Sequence, residues 1–202
     1  MESRKDKIGP WTRLSSREIY ENPWIHVRED QVLRPDGAPG IYGVIHFKNL
    51  AVGVVPIDAQ GRVILVGQHR YPLDYYSWEI PEGGCLIGKE TLEAAAEREL
   101  REETGFKAGR WDYLGEMVLS NSTSDEVAHF FLARELVPGP TQLDGTEDIK
   151  VKSMPFDEAH RQAMEGEITE SLTVGALART KHFLDQEKVS GPKPPRKRSG
   201  ST

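Results

Sequence analysis

The chain has 202 residues, a formal net charge of −6 and a hydrophobic content of 37%, which suits one core domain with extensions. The acidic balance argues against a general nucleic-acid binder, and no apolar run approaches the roughly 20 residues of a membrane helix. The start of the chain lacks the apolar region of a secretory signal, and a single cysteine, Cys85, cannot form an internal disulfide, so we predict a cytoplasmic protein.

The first part of the chain is predicted to form short strands after a polar start. Residues 1–13 are polar and are predicted to be disordered. Alternating apolar and polar residues predict half-buried antiparallel strands within residues 14–47, with a turn at Pro35-Asp36-Gly37. We therefore assign residues 14–47 to a separate N-terminal β subdomain.

Residues 48–187 are predicted to form the main domain, which is of the α/β class. Strands are predicted at about 52–57, 63–68, 77–80, 113–118, 126–136 and 149–154. Turns are predicted at 58–61 and 81–84, and helices at about 156–165 and 170–186. Residues 188–202 are a basic tail of low apolar content, for which we predict disorder.

One further helix carries most of the chemical information. Thr91 and Gly105 are its expected limits, because a hydroxyl favours a helix start and a glycine favours the position after its end. On this helix Glu99, Glu102 and Glu103 share one face, where like charges repel. Three carboxylates at this spacing indicate a divalent cation, with Mg²⁺ expected and Mn²⁺ as the alternative.

Around this helix the sequence has Gly84, Glu90 and the run Arg98-Glu-Leu-Arg-Glu-Glu-Thr-Gly-Phe106. This pattern resembles the Nudix box and meets every defined position of it. The resemblance implies the Nudix α/β/α sandwich with a mixed sheet, to which this chain adds an N-terminal antiparallel β extension. It also implies a hydrolase that splits a nucleoside diphosphate linked to another moiety.

The resemblance assigns a role to each box residue. The implied metal ligands are the Gly83 carbonyl and the carboxylates of Glu99, Glu102, Glu103 and Glu147. The metal would bind the diphosphate and lower the pKa of the attacking water. Arg98 is counted with the catalytic residues because its planar fork can hold carboxylates in place, with Glu90 as a partner. The base stays open between Glu147 and a box carboxylate such as Glu102, because some relatives carry a further glutamate where this chain has Gly145.

Outside the box, residues 16–37, 42–57 and 166–174 resemble the ADP-ribose pyrophosphatase branch, which hydrolyses nucleoside diphosphate sugars. In that branch the N-terminal strands reach a second subunit, so the resemblance predicts a homodimer whose dimerisation element is residues 14–47. The implied substrate contacts are Arg70 for the diphosphate, Glu79 for a ribose, Trp24 and Tyr42 for base stacking, and Ser120 for the distal sugar.

ADP-ribose is the leading substrate, and several alternatives stay open at the level of sequence. The nucleotide sugar could instead be GDP-mannose or ADP-glucose. The enzyme could act on RNA ends or dinucleoside polyphosphates, although compact family members of that kind usually lack the N-terminal strands. A ligand-sensing module without catalysis is a third alternative, against which the intact Glu99, Glu102 and Glu103 argue.

Overall fold

The computed structural model describes residues 6–140 and 148–191 of the chain. These residues contain eleven strands and three helices, which confirms the predicted α/β class. The chain splits into two compact units. The first unit is Met1–Leu50 with Val118–Val127, and the second unit is Ala51–Met117 with Ala128–Thr202. Within the described residues, no helix has the length and apolar character needed to span a membrane.

The first unit is built on a four-stranded antiparallel sheet in the order β1-β2-β3-β4. The strands are β1 (Asp6–Ile8), β2 (Trp11–Glu21), β3 (Ile25–Leu33) and β4 (Pro39–Phe47). The predicted turn between β3 and β4 is confirmed, because Gly37 has a φ of 82° and its N–H donates to the Arg34 carbonyl. Of residues 6–50, only Asp30 and Val32 are buried, so this sheet has almost no core.

This sheet begins earlier in the chain than the sequence predicts. The sequence predicts disorder over residues 1–13, whereas β1 and the start of β2 place residues 6–8 and 11–13 in strands. The two strands pair with each other, and Arg13 forms an ion pair with Asp6 at 2.6 Å. Short polar strands show no apolar alternation, so only their pairing identifies them. Residues 1–5 lie outside the described part of the chain.

The second unit contains a mixed sheet in the order β8-β5-β10-β9 and an antiparallel sheet in the order β11-β6-β7. The strands are β5 (Asn49–Pro56), β6 (Arg62–Arg70), β7 (Tyr75–Glu79), β8 (Glu82–Leu86), β9 (Phe106–Val118), β10 (Val127–Pro138) and β11 (Lys150–Pro155). The helices are α1 (Leu92–Thr104), α2 (Phe156–Met164) and α3 (Ser171–Ser190).

Helices cover both faces of the mixed sheet. Phe131 of β10 pairs with Val54 of β5, and both pack in one buried cluster with Leu100 of α1. Phe130 points to the opposite face, because successive side chains of a strand alternate. A Cβ added to Gly175 of α3 would lie 3.7 Å from the Phe130 ring, so α3 covers that face. The predicted α/β/α sandwich is therefore confirmed.

Several element boundaries differ from the prediction. Strand β8 occupies residues that were predicted to form a turn, and β9 begins at Phe106 and not near residue 113. Strand β8 lies beside the buried strand β5, and the Val54 N–H donates to the Pro81 carbonyl at 2.9 Å. Backbone pairing of this kind is not visible in glycine-rich sequence. Helix α3 continues to Ser190, past the predicted start of the tail, and residues 192–202 lie outside the described part.

Candidate active site

The acidic helix predicted from the sequence is α1. Thr91 caps its start, since the side chain accepts the Ala94 N–H at 3.1 Å, and Gly105 ends it in the left-handed conformation with a φ of 75°. Its buried residues are Ala95, Ala96, Glu99, Leu100, Glu103 and Thr104. Two of the three predicted carboxylates therefore belong to the packed side of the helix. Apolar packing of α1 holds these charges in fixed positions.

Arg98 joins the carboxylates of α1 to the segment that precedes the helix. Its guanidinium donates to Glu99 Oε1 (2.8 Å), Glu102 Oε2 (3.1 Å), the Gly84 carbonyl (2.8 Å) and Glu90 Oε1 (3.2 Å). Glu90 also accepts the N–H of Leu86 at 3.1 Å. Burial opposes the charged form of Glu90, but Arg98 and this N–H outweigh it and lower the pKa of Glu90. Arg98 thus balances the charge of several carboxylates at once.

The backbone at Gly83 leaves room for one of these carboxylates. A Cβ at this position would lie 2.1 Å from Glu99 Oε1, so any side chain here would displace Glu99. Glu103 is buried, and its Oε2 accepts the Glu82 N–H at 3.1 Å. Carboxylates and a main-chain carbonyl are hard oxygen donors, so the residues at this position fit Mg²⁺ or Mn²⁺.

Among the described candidate ligands, the side chains of Glu99, Glu102 and Glu103 do not converge on one point. Across residues 6–140 and 148–191, no three His, Cys, Asp or Glu side chains are grouped so that they could hold a metal ion. Arg98 Nη1 bonds to both Glu99 and Glu102, whereas Glu103 bonds to a backbone N–H. A divalent ion would therefore compete with Arg98 for these carboxylates.

A second charged cluster in the same unit contains Arg70 and Glu79. The register of β6 with β7 pairs Val66 with Glu79 and Arg70 with Tyr75, which places Arg70 and Glu79 on one face of the hairpin. Arg70 Nε donates to both oxygens of Glu79 at 3.0 Å, and Nη2 donates to Glu79 Oε2 as well. Burial disfavours the charge of Arg70, but the carboxylates beside it raise its pKa.

Glu82 also belongs to this cluster, although no sequence motif marks it as a site residue. Its Oε1 accepts a hydrogen bond from Arg70 Nη2 at 2.6 Å, and its Oε2 is buried without a partner among the described residues. Burial raises the pKa of Glu82 well above its usual value, and the Glu170 carboxylate adds to this rise while Arg70 opposes it. The sequence signal for Glu82 was only its place between Pro81 and Gly83.

Glu170 was also missed. It caps the start of α3, where its carboxylate accepts the N–H groups of Leu172 at 2.8 Å and Thr173 at 2.7 Å. An N-cap carboxylate is a recognisable local signal, because the first turn of a helix has free N–H donors. Its electrostatic effect on Glu82 and Arg70 depends on tertiary structure.

The other predicted site residues are dispersed. Glu147 lies outside the described part of the chain. Trp24, Tyr42 and Ser120 belong to the first unit. Trp24 is 66% exposed, and Ser120 is exposed with a φ of 45°. The Tyr42 hydroxyl donates to the Ser122 carbonyl at 2.7 Å.

Tyr42 has an aromatic neighbour, Trp11, that is not among the residues predicted to bind substrate. The Trp11 and Tyr42 rings meet edge to face with centroids 5.4 Å apart. Both rings line a groove of about 350 Å³ within the first unit, together with Arg28 and the buried Asp30. Trp11 was overlooked because it stands in the polar segment that was predicted to be disordered.

Comparisons with known proteins agree with this architecture. Residues 47–172 match the profile of the NUDIX domain, and residues 11–45 match that of the nucleoside diphosphate sugar hydrolase N-terminal domain. The chain is 32% identical to the ADP-ribose pyrophosphatase of Mycobacterium tuberculosis, over 82% of this chain and 81% of that protein. It is 29% identical to the ADP-ribose pyrophosphatase of Bacillus subtilis, over 81% of this chain and 89% of that protein. A crystal structure of an ADP compounds hydrolase has the same fold, with a TM-score of 0.79, 21% identity, and coverage of 90% of this chain and 98% of that one.

Proposed function

This chain belongs to the Nudix family of hydrolases, and we propose that it splits the pyrophosphate bond of nucleoside diphosphate sugars. ADP-ribose is the leading substrate, and its products with one water would be AMP and ribose 5-phosphate. The observation that carries this proposal is the capped acidic helix α1, with Arg98 bound to its carboxylates. The match of residues 11–45 to the N-terminal domain of nucleoside diphosphate sugar hydrolases supports the substrate class.

In this proposal, separate residues of the second unit bind the metal, position its ligands and bind the diphosphate. A divalent cation, Mg²⁺ or Mn²⁺, held by the Gly83 carbonyl, Glu99, Glu102 and Glu103, would neutralise diphosphate charge and lower the pKa of the attacking water. Arg98 sets the positions of Glu99 and Glu102, since it donates to both. The Arg70 guanidinium would bind a diphosphate oxygen, a contact in which arginine forms charge-assisted hydrogen bonds.

The hydrolytic step is an in-line displacement at one phosphorus. The water oxygen forms the new P–O bond, the bridging P–O bond breaks, and the water proton passes to a carboxylate. Glu102 is the candidate base within the described residues, since its side chain is 28% exposed and lies next to Arg98. Glu147 is the second candidate base.

A substrate panel tests the proposed reaction. Purified protein with Mg²⁺ is given ADP-ribose, ADP-glucose or GDP-mannose, and the products are identified by chromatography. We expect release of a nucleoside monophosphate and a sugar phosphate, fastest from ADP-ribose. Absence of a monophosphate from all three substrates, with Mg²⁺ and with Mn²⁺, would refute the proposal.

Glu102→Gln tests whether the acidic face of α1 does the chemistry. The change keeps the size of the side chain but removes its charge, so we expect kcat to fall by about 10²–10³-fold. Glu97→Gln is the matched control, because Glu97 is exposed on the same helix, and it should keep wild-type turnover. Equal turnover in the two variants would contradict the assigned role of Glu102. Circular dichroism would confirm that both variants are folded.

We propose in addition that the protein is a homodimer in which residues 14–47 of one copy meet the other copy, with Trp24 and Tyr42 available to stack on the base. The support is the exposure of large apolar side chains in the first unit: Ile19 at 50%, Tyr20 at 56%, Trp24 at 66% and Ile41 at 65%. A contiguous exposed apolar patch marks an interaction surface, and we propose that these side chains contribute to one.

Sedimentation velocity tests the dimer directly. We expect a dimer at micromolar concentration and a melting temperature that rises with protein concentration, because association stabilises the folded state by mass action. A strict monomer with a concentration-independent melting temperature would remove the stacking role given to Trp24 and Tyr42.

A further inference from the structure

We propose that Glu82 is a positioning residue for the diphosphate: it holds the Arg70 guanidinium, together with Glu79, so that one terminal nitrogen stays available for a phosphate oxygen. This inference rests on the proposed function, since it assumes that Arg70 contacts the diphosphate of the substrate. It assigns a role to a residue that does not itself touch the reacting atoms.

The hydrogen bonds of Arg70 lie on one edge of its guanidinium. Glu79 binds Nε and Nη2, and Glu82 Oε1 accepts from Nη2 at 2.6 Å. The other terminal nitrogen, Nη1, has no hydrogen-bond partner within residues 6–140 and 148–191. Arg70 is therefore held by two carboxylates from one side and keeps two N–H donors for a further anion.

The burial of these groups makes the arrangement rigid. The Glu79 side chain is fully buried and that of Glu82 is 13% exposed, whereas that of Arg70 is 33% exposed. The carboxylates thus form the inner side of the cluster and the arginine its outer side. A long arginine side chain loses much rotamer freedom when it binds a ligand, and a guanidinium that is already fixed loses less.

Glu82 also connects Arg70 to the acidic face of α1. Its backbone N–H donates to Glu103 Oε2 at 3.1 Å, while its side chain accepts from Arg70. A single residue therefore sets the position of the diphosphate-binding arginine relative to a carboxylate of the box. Residue 82 directly precedes Gly83, where a Cβ would collide with Glu99, so the backbone path here is tightly constrained.

A double-mutant cycle on ligand affinity tests the inference. The variants are Glu82→Ala, Arg70→Ala and the double variant, and the probe is inorganic pyrophosphate in the presence of Mg²⁺, measured by titration calorimetry. We expect each single variant to weaken binding about tenfold, the size of one charge-assisted hydrogen bond. The double variant should bind no more weakly than Arg70→Ala alone, because Glu82 acts through Arg70.

Two further variants make the cycle specific. Glu82→Gln keeps an oxygen acceptor for Arg70, so it should retain most of the affinity for pyrophosphate. It also keeps the test interpretable if the alanine variant does not fold. Glu158→Ala is the control, since it also removes the carboxylate partner of an arginine, Arg161 of α2 at 2.7 Å, and it should leave pyrophosphate affinity unchanged. With ADP-ribose, Glu82→Ala should raise KM while kcat stays within about threefold, the split expected when ground-state binding is lost.

The inference is overturned if Glu82→Ala binds pyrophosphate within twofold of wild type, if its effect adds fully to that of Arg70→Ala, or if wild-type protein does not bind pyrophosphate. Failure of the proposed function would look different. In that case the cycle would hold for pyrophosphate, while the substrate panel would release no nucleoside monophosphate.

Discussion

The two units of this protein are stabilised in different ways. In the second unit, strands β5, β6 and β10 carry runs of buried residues, and α1 packs its apolar side on β5 and β10. In the first unit, only Asp30 and Val32 are buried among residues 6–50, and polar contacts such as Ser16 with Asp30 at 2.6 Å replace a core. The comparison shows why the charged site lies in the second unit: fixed positions for like charges require a rigid, buried support.

The largest expected difference between the units concerns truncation of an apolar side chain. Leu100→Ala in α1 should lower the free energy of unfolding by about 2–5 kcal/mol, because it opens a cavity at a fully buried position. Ile41→Ala in β4 removes a side chain that is 65% exposed. In dilute protein this variant should change the free energy of unfolding by less than about 0.5 kcal/mol. Urea denaturation measures both. A cost above about 1 kcal/mol for Ile41→Ala would show that another surface covers this sheet in solution.

A pair of glycine variants, one in each unit, should give a smaller difference in stability that reports on packing at single positions. A Cβ at Gly67 of β6 would lie 2.5 Å from the Tyr76 hydroxyl and 2.7 Å from the Trp78 ring. The Trp78 ring also has Lys152 Nζ 3.9 Å from its centroid, which hinders its displacement. Gly67→Ala should therefore cost about 1–3 kcal/mol through overpacking.

Gly43→Ala in β4 is the matched variant of the first unit. A Cβ there would meet no atom within 4 Å. Alanine also loses less backbone entropy than glycine on folding, so the free energy of unfolding should stay the same or rise slightly. Thermal denaturation compares the two variants. Equal losses of stability in Gly67→Ala and Gly43→Ala would contradict the expected difference in packing between the two units.

The smallest expected effect concerns a pH-dependent contact of the first unit. Burial disfavours the charge of Asp125, but hydrogen bonds from His46 Nδ1 at 2.5 Å and the Phe47 N–H at 3.0 Å outweigh it and lower the pKa of Asp125. A lowered pKa means that the contact stabilises the fold above the unfolded value of about 3.9 and is lost as the pH falls through the folded value.

Asp125→Asn should therefore cost less than about 1 kcal/mol at pH 6, since both side chains are about half exposed. The difference between wild type and variant should shrink as the pH falls below about 4. Chemical denaturation from pH 6 to pH 3 measures it. A difference that stays constant over this range would show that the Asp125 charge does not contribute.

Local features of the second unit were predictable from sequence, whereas contacts between residues that are distant in sequence were not. The limits of α1 at Thr91 and Gly105 follow from capping chemistry, which acts within one helical turn. The cluster of Arg70, Glu79 and Glu82 was not predicted as a cluster, because the bond between Arg70 and Glu79 depends on the register of β6 with β7. Sequence periodicity identifies a strand but not its register.

The sequence by itself determined the family, the acidic helix and the chemistry of its ligands, because a helix places residues three and four apart on one face regardless of its surroundings. Tertiary structure decided which opposite charges neutralise one another. Arg98 donates hydrogen bonds to Glu99 and Glu102, and Arg70 donates to Glu79 and Glu82. Tertiary structure also decided that residues 6–8 and 11–13 form strands, since those residues gain order only from pairing. Charge balance and strand pairing depend on groups that are distant in sequence, and packing alone brings them together.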